Sequence, residues 1–395
     1  MGRRTLAVVA LVGLCFAGLA ASSQLASGDP PCNHPWQKGC PAPTTTDGTP
    51  IGTTTTPPTT SAPTTTTVPP TTTVQTTTVS TTTVVPATTT PTTTTAVPAT
   101  TTVTTTAAPA PSPGKWWAPT SPFNTPIPRT AALDANSQSW VNLLYNSSAV
   151  NSIWVNSTAW TTTVYHASSG TPTVVVSIAN TGKHIRIPYR GGWVGSPDAD
   201  AHIGIIDDAT GCEYEFQQFD PSTLSSHSVA VFHVYTGSGA HAADAGVTGG
   251  EMSVLGGLIT PHDVASGTID HALRLATPVN SPSYRVPATR SDGRLAGGIP
   301  EGALIRLDPS LDLSQYNLTS FQLMLARALQ TYGAYDDDNA GGLAVYAEST
   351  SDGSAYSLPI TGLPKSMVLH LQVMSPLFSS VALDSNTATT CSAPY

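Results

Sequence analysis

Short runs of β-branched and aromatic residues recur along the second half of the chain, each bounded by Gly, Pro, Asp or Ser. They are VVVSI (174–178), IRIP (185–188), IGII (203–206), Tyr214 to Phe216, VAVFHVY (229–235), ALIRL (303–307), LAVYA (343–347) and MVLHLQV (367–373). Runs of this length and make-up predict strands. Two stretches instead place apolar residues at helical spacing. One is Ala135 to Asn146, with Trp140, Leu143 and Leu144 on one side; the other is Ser320 to Thr331, which follows a Ser or Thr cap. Many short strands with long punctuated loops and few helices predict an all-β domain, a jelly-roll-like β-sandwich with one or two peripheral helices.

Ahead of that domain the pattern changes three times. Residues 1–22 carry Arg3 and Arg4, an apolar run from Leu6 to Leu19, then Ala20, Ala21 and Ser22. The run is too short to span a bilayer and ends in small residues, as in a secretory signal peptide. Residues 23–41 form a short segment holding Cys32 and Cys40. Residues 42–114 are almost wholly Thr, Pro, Val and Ala. Such a stretch cannot build a core, and its prolines favour an extended backbone, so it predicts a disordered Thr/Pro-rich linker, of the composition of an O-glycosylated stalk. Residues 115–395 are then one β-sandwich domain.

Charge narrows the partners. The net charge is −9 and only 10% of residues are charged. After Lys115 the lysines are Lys183 and Lys365, without a basic cluster. Nucleic acid and anionic membrane surfaces need phosphate-pairing cations, which this chain lacks. A neutral polysaccharide or cell-wall glycan is the expected partner of a monomeric, extracellular protein, with the spacer suited to holding it at a wall. Four cysteines follow the signal: Cys32, Cys40, Cys212 and Cys391. An even count in an exported chain reads as disulfides, and chain order pairs Cys32 with Cys40 and Cys212 with Cys391. The C-x2-C spacing of a metal site is absent, as are a phosphate-binding glycine loop, a G-x-S-x-G elbow and H-E-x-x-H. No metal and no cofactor are expected.

The ionisable residues fall in three places. Gly249 to Pro278 runs from an apolar segment through a Pro-His-Asp corner into a second one carrying Asp270 and His271. Adjacent residues on a strand face opposite ways, so one of these two points inward. A buried His bonded to a backbone carbonyl is the plain reading, and a His in a dry cleft the chemical one. Asp198, Asp200 and His202 enter a strand at alternating spacing and would share a face, as an oriented general base or as an ordinary polar loop end. Tyr332 to Asn339 (YGAYDDDN) leaves the second helix with three acids in a row. Crowded carboxyls raise one another's pKa, as a glycosidase pair requires, while a solvated turn accounts for two of the three. Trp116, Trp117, Phe123, Trp154, Trp160 and Trp193 sit among Ser, Thr, Asn and Gly, a setting that suits sugar rings. Packing claims Trp140 and at least half of the others.

Six motifs occur together: PFNTPIP, the D-x-D-A-H strand start, GGLITPHDVASGTIDHAL, PATRSDG, IPEGALIRLDPS and ARALQTYGAYDDDN. As a set, covering most of residues 115–339, they resemble a domain of exported actinobacterial and other bacterial proteins that follows a signal and a low-complexity linker. The resemblance implies an exported globular domain. That family has Glu where this chain has Asp263, and apolar residues where it has Asp336 and Asp337, so Asp338 is the matching acid. A looser, fold-level similarity, in the all-β layout and the spacing of Tyr332 and Tyr335, is to jelly-roll polysaccharide lyases and hydrolases.

These readings predict a secreted glycoside hydrolase with Asp200 and Asp338 as paired carboxylates, His202 and His271 moving or orienting protons, and Trp117 or Trp193 as a sugar platform. A lyase would use Tyr332 or Tyr335 with a His, and Arg274 or Arg285 on a uronate carboxylate. A glycan-binding surface protein without turnover is the alternative, and a purely structural coat protein a third.

Overall fold

All but the last of the β-branched runs fold as strands, and the two amphipathic stretches as helices, in the computed structural model; in the last run a 3-10 helix, Lys365–His370, takes up the start and only Leu371–Val373 is a strand. It describes residues 115–395 apart from 244–245, 350–355, 387–390 and 392–394. The expected signal peptide, Cys32–Cys40 loop and Thr/Pro linker lie outside the described residues. No described helix is long and apolar enough to cross a membrane.

In chain order the strands begin with β1 (Ser152–Asn156), β2 (Thr162–Ala167), β3 (Thr173–Ile178), β4 (Lys183–Pro188), β5 (His202–Asp207) and β6 (Cys212–Gln217). Next come β7 (Ser225–Ser226), β8 (Ser228–His233), β9 (Leu273–Thr277), β10 (Asn280–Tyr284) and β11 (Ile299–Glu301). The last are β12 (Leu304–Leu307), β13 (Ala334–Asn339), β14 (Ala344–Tyr346), β15 (Leu363–Pro364) and β16 (Leu371–Val373). The α-helices are α1 (Ser137–Asn146), α2 (Pro261–Ser266) and α3 (Ser320–Thr331). A seven-stranded sheet has the order β15-β1-β14-β9-β13-β12-β16, a four-stranded sheet β2-β5-β6-β8, and a three-stranded sheet β4-β3-β7; β10 and β11 pair separately.

The strand content is as expected, but the pairing is not that of a jelly roll, which is antiparallel. Here β1 with β14, β9 with β13, β2 with β5, β3 with β7, and β10 with β11 run parallel. The first four of these pairs are joined through other elements and β10 with β11 through the long loop 285–298, none by a tight hairpin, and such long connections permit parallel alignment.

The packing is layered. Trp140, Val141 and Leu144 of α1, with Phe321, Leu325 and Leu329 of α3, cover one face of the seven-stranded sheet around Leu273, Leu275, Ile305 and Val345. Between the three- and four-stranded sheets lie Val176, Ile185, Ile187, Ile203, Ile205, Tyr214 and Phe216. A third core, with Trp117, Phe123, Phe232, Leu255 and Tyr335, joins the other face of the four-stranded sheet to the seven-stranded one. Cys212 and Cys391 form the expected disulfide, with their α-carbons 5.6 Å apart, and Cys391 is packed into the core of the two smaller sheets.

Helix α2 arises where the sequence reads as a corner. Thr260 and Asp263 form a capping box, each side chain taking the other's backbone N–H, and Pro261 occupies the first turn, where no amide is missed. Gly267, with a φ of 76°, ends it.

Candidate functional site

Strand alternation brings acids inside. On β6, CEYEF turns Tyr214 and Phe216 to the core of the smaller sheets, so Glu213 and Glu215 face the opposite way, and both are fully buried. Glu215 Oε1 accepts from Ser253 Oγ and from the Leu255 amide, at 3.2 Å for the latter. Burial comes first among the causes that raise both acids, and it pushes Glu213 well up. In such surroundings the neutral, protonated form is favoured.

On β13, AYDDDN carries an irregularity in its pairing with β9 between Asp336 and Asp338. It spreads the three acids over three environments. Asp336 is fully buried, with Oδ2 accepting from Asn280 Nδ2 at 2.8 Å and Thr277 Oγ1 at 3.4 Å. Asp337, also fully buried, accepts from Thr248 Oγ1 and the Met252 amide, both at 3.2 Å. Its other oxygen is 3.3 Å from Nε of Arg274, whose guanidinium lies 4.1 Å over the Tyr346 ring. Burial drives both carboxyls well up, partly offset for Asp337 by the Arg274 charge. Asp338 reaches a polar cavity of about 260 Å3.

That cavity is also lined by Asn180, Gln217, His227, Arg290, Asp292 and the loop 246–249. Arg290 binds the loop from one side, donating to the carbonyls of Gly249 at 3.0 Å and Thr248 at 2.8 Å and pairing with Glu251 at 3.0 Å. Glu251 in turn takes the Gly246 amide with both oxygens. Asp292 accepts from the Asn339 amide at 3.1 Å, so its carboxyl is tied to the residue next to Asp338. Behind it Glu301 is fully buried. Burial, then the hydrogen bond and charge of Asp292, push the Glu301 carboxyl up to about 10. The arrangement is two carboxyls in one polar wall, one of them backed by a buried acid whose pKa is raised, with amide and imidazole groups around them. These groups are suited to proton transfer and hydroxyl recognition. Among the described residues no group of three or more His, Cys, Asp or Glu side chains is arranged to hold a metal ion.

Of the four expected catalytic residues, Asp338 lines this cavity and Asp200, His202 and His271 do not. Asp198 takes the amides of Trp160, Asp200 and Ala201, folding this stretch into a loop. Ala201 has a φ of 39°, so the strand alternation assumed for Asp198, Asp200 and His202 is broken before β5 begins. His202 opens β5 as a buried residue. His271 is buried with Nδ1 on the Ala272 carbonyl at 2.9 Å and Nε2 on Asp263 at 3.4 Å. Burial lowers the imidazole's pKa, but the bonds to Asp263 and Ala272, both acceptors, outweigh it and raise it.

The expected binding residues are mostly engaged elsewhere. Trp117 is buried with its ring edge-on to Phe232, and Tyr335 is buried edge-on to Phe123. Tyr332 is half-buried against the same core. Arg274 is enclosed with Asp337 and Tyr346, and Arg285 binds Asp134 and the Met374 carbonyl, both at 2.9 Å. Trp193 is half-buried and stacked on Tyr165, with ring centroids 4.9 Å apart. The cavity residues not singled out from sequence are Asp292, Arg290, Asn180, Gln217 and His227, with Glu301 behind them. The first two lie in PATRSDG and Glu301 in IPEG, so the motifs marked the places but not the roles. Set against family models, curated proteins and solved structures, the chain finds no match in any of the three.

Proposed function

We propose that the chain is a secreted carbohydrate-active enzyme that hydrolyses a glycosidic bond of a cell-wall or environmental polysaccharide, with Asp292 and Asp338 as the paired carboxylates. The observation that carries this reading is that both acids line one polar cavity, Asp292 accepting from the amide of Asn339, the residue after Asp338. In such a pair, one carboxyl gives its proton to the glycosidic oxygen as the bond from oxygen to the anomeric carbon breaks. The other either takes a proton from the attacking water or attacks the anomeric carbon itself. Asn180, Gln217 and His227 provide donors and acceptors for sugar hydroxyls. The acidic, lysine-poor composition fits a neutral polymer better than an anionic one.

A second reading, a glycan-binding protein without turnover, is favoured by the indole of Trp154, which is 43% exposed on β1. Incubating the protein with a panel of neutral and acidic polysaccharides and measuring new reducing ends separates the two. The hydrolase reading expects product from at least one neutral member. Retention of glycan with no product from any member would overturn it in favour of binding alone.

A further inference from the structure

Glu301 sits on β11, the short strand beside β10, and all of its side chain is out of solvent. One of its oxygens, Oε1, accepts from the Asp292 amide at 3.3 Å. The other, Oε2, is buried with no donor directed at it. A buried carboxylate oxygen without a donor is costly, whereas a carboxylic acid O–H is itself a donor. The acceptor is at hand. A β-carbon built on Gly249 would meet Glu301 Oε2 and Asp292 Oδ1 at 2.9 Å each, so both oxygens border the space that a side chain there would fill. Gly249 leaves the room in which the two carboxyls approach.

We propose that Glu301 is a positioning acid for the cavity: it holds a proton that it shares with Asp292, and the shared hydrogen bond fixes the direction in which the Asp292 carboxyl faces the cavity. The groups acting on Glu301 across this packing are acids. Asp292 comes from the loop between β10 and β11, and Asp336 and Asp338 from β13, so ionising Glu301 would add a further negative charge to a set that already repels it. The side chains of Arg290 and Arg285 are turned to Glu251 and Asp134. The Asn339 amide bond and the Glu301 hydrogen bond together hold Asp292 at two points, which leaves it little rotational freedom. The task assigned to Asp292 rests on the hydrolase reading; the proton sharing does not.

The test is an infrared difference spectrum between the wild type and Glu301→Gln at mildly alkaline pH. The wild type should show the carbonyl stretch of a protonated carboxylic acid that the variant lacks. A difference spectrum holding only ionised carboxylate bands would overturn the proposal. Should Glu301→Gln fail to fold, Asp292→Asn serves instead: the acid band must shift when its acceptor changes from carboxylate to amide, and an unmoved band is equally fatal. On a polysaccharide that the wild type cleaves, Gln keeps an N–H donor towards Asp292 and should retain turnover within about 3-fold, while Glu301→Ala should lose on the order of 10²-fold. Full turnover in the Ala variant would refute the positioning role. An acid band with no product from any polysaccharide would leave the proton sharing intact and remove the hydrolase reading alone.

Discussion

Raising the pH should loosen this fold well before its lysines lose their protons. Glu301 is held up to about 10 by burial and Asp292, and Glu348 to about 7 by burial. Glu213, Glu215 and Asp336 are raised as well, burial being the first cause in each. An acid whose pKa is higher in the folded chain than in the unfolded one binds the extra proton only when folded. Its stabilisation is complete below the unfolded value, 4.5 for a glutamate here, and drains away as pH climbs through the folded value. One retained proton changes stability by about 1.4 kcal/mol per pH unit. Between about pH 5 and pH 8, Glu301 alone would account for roughly 4 kcal/mol. In a domain of this size that corresponds to a fall in Tm of about 7 °C, and every further retained proton adds to it. His271 acts with the same sign: its raised pKa stabilises below the unfolded value and ceases to do so as pH passes the folded one. Asp308 and Asp312, whose pKa values are lowered, lose their contribution only on the acid side, as pH falls through their folded values. Calorimetric melts at constant ionic strength across this range provide the assay, with Glu301→Gln as the control that should flatten the slope by one proton. A Tm that stays level or rises from the acid to the alkaline end would refute the reasoning, since it would mean that the buried acids are ionised in the folded chain.

Two further outcomes follow from covalent and ionic ties in the interior. The Cys212–Cys391 bridge spans a sequence separation of 179, and replacing both cysteines with Ser should cost about 5 kcal/mol by chain-entropy reasoning, seen as a lower urea midpoint; an unmoved midpoint would show that the C-terminal stretch contributes nothing to the body. Removing one partner of the enclosed ion pair, by Arg274→Met or Asp337→Leu, should cost about 3–5 kcal/mol, whereas the double variant should recover much of that loss in the same denaturation assay. Additive losses in the double variant would contradict a direct pairing.

Strand and helix content was legible because period-2 and period-3.6 patterns are local. Ser320 to Thr331 is helical over those same residues, since its capping box and its apolar spacing agree. Helix α2 was not legible: six residues are too few to show a period, and its signature is the side-chain exchange between Thr260 and Asp263. The parallel pairings were also hidden, because alternation along a strand tells which face is buried and not which strand lies alongside. Three consecutive acids read as a solvated turn when seen by themselves. The partners that let Asp336 and Asp337 go inside, namely Asn280, Thr277, Thr248 and Arg274, are far away in the chain. Glu213 and Glu215 were the clearest missed signal. Acids two apart in a strand with Tyr214 and Phe216 must share a face, and that face is covered by the seven-stranded sheet and its loops. Asp292 and Glu301 lie in turn-rich segments where no periodicity marks a site, and only the folding of β10 and β11 against β13 brings them to Asp338.

The proposed hydrolysis requires Asp292 and Asp338 to act together on a bound sugar polymer. The most direct measurement compares turnover and glycan binding of the wild type with Asp292→Asn and Asp338→Asn, on whichever polysaccharide the wild type degrades. Each amide should lower turnover by at least about 10²-fold while binding stays within a few-fold of the wild type. Variants that cleave as fast as the wild type would contradict the account and move the chemistry away from this cavity.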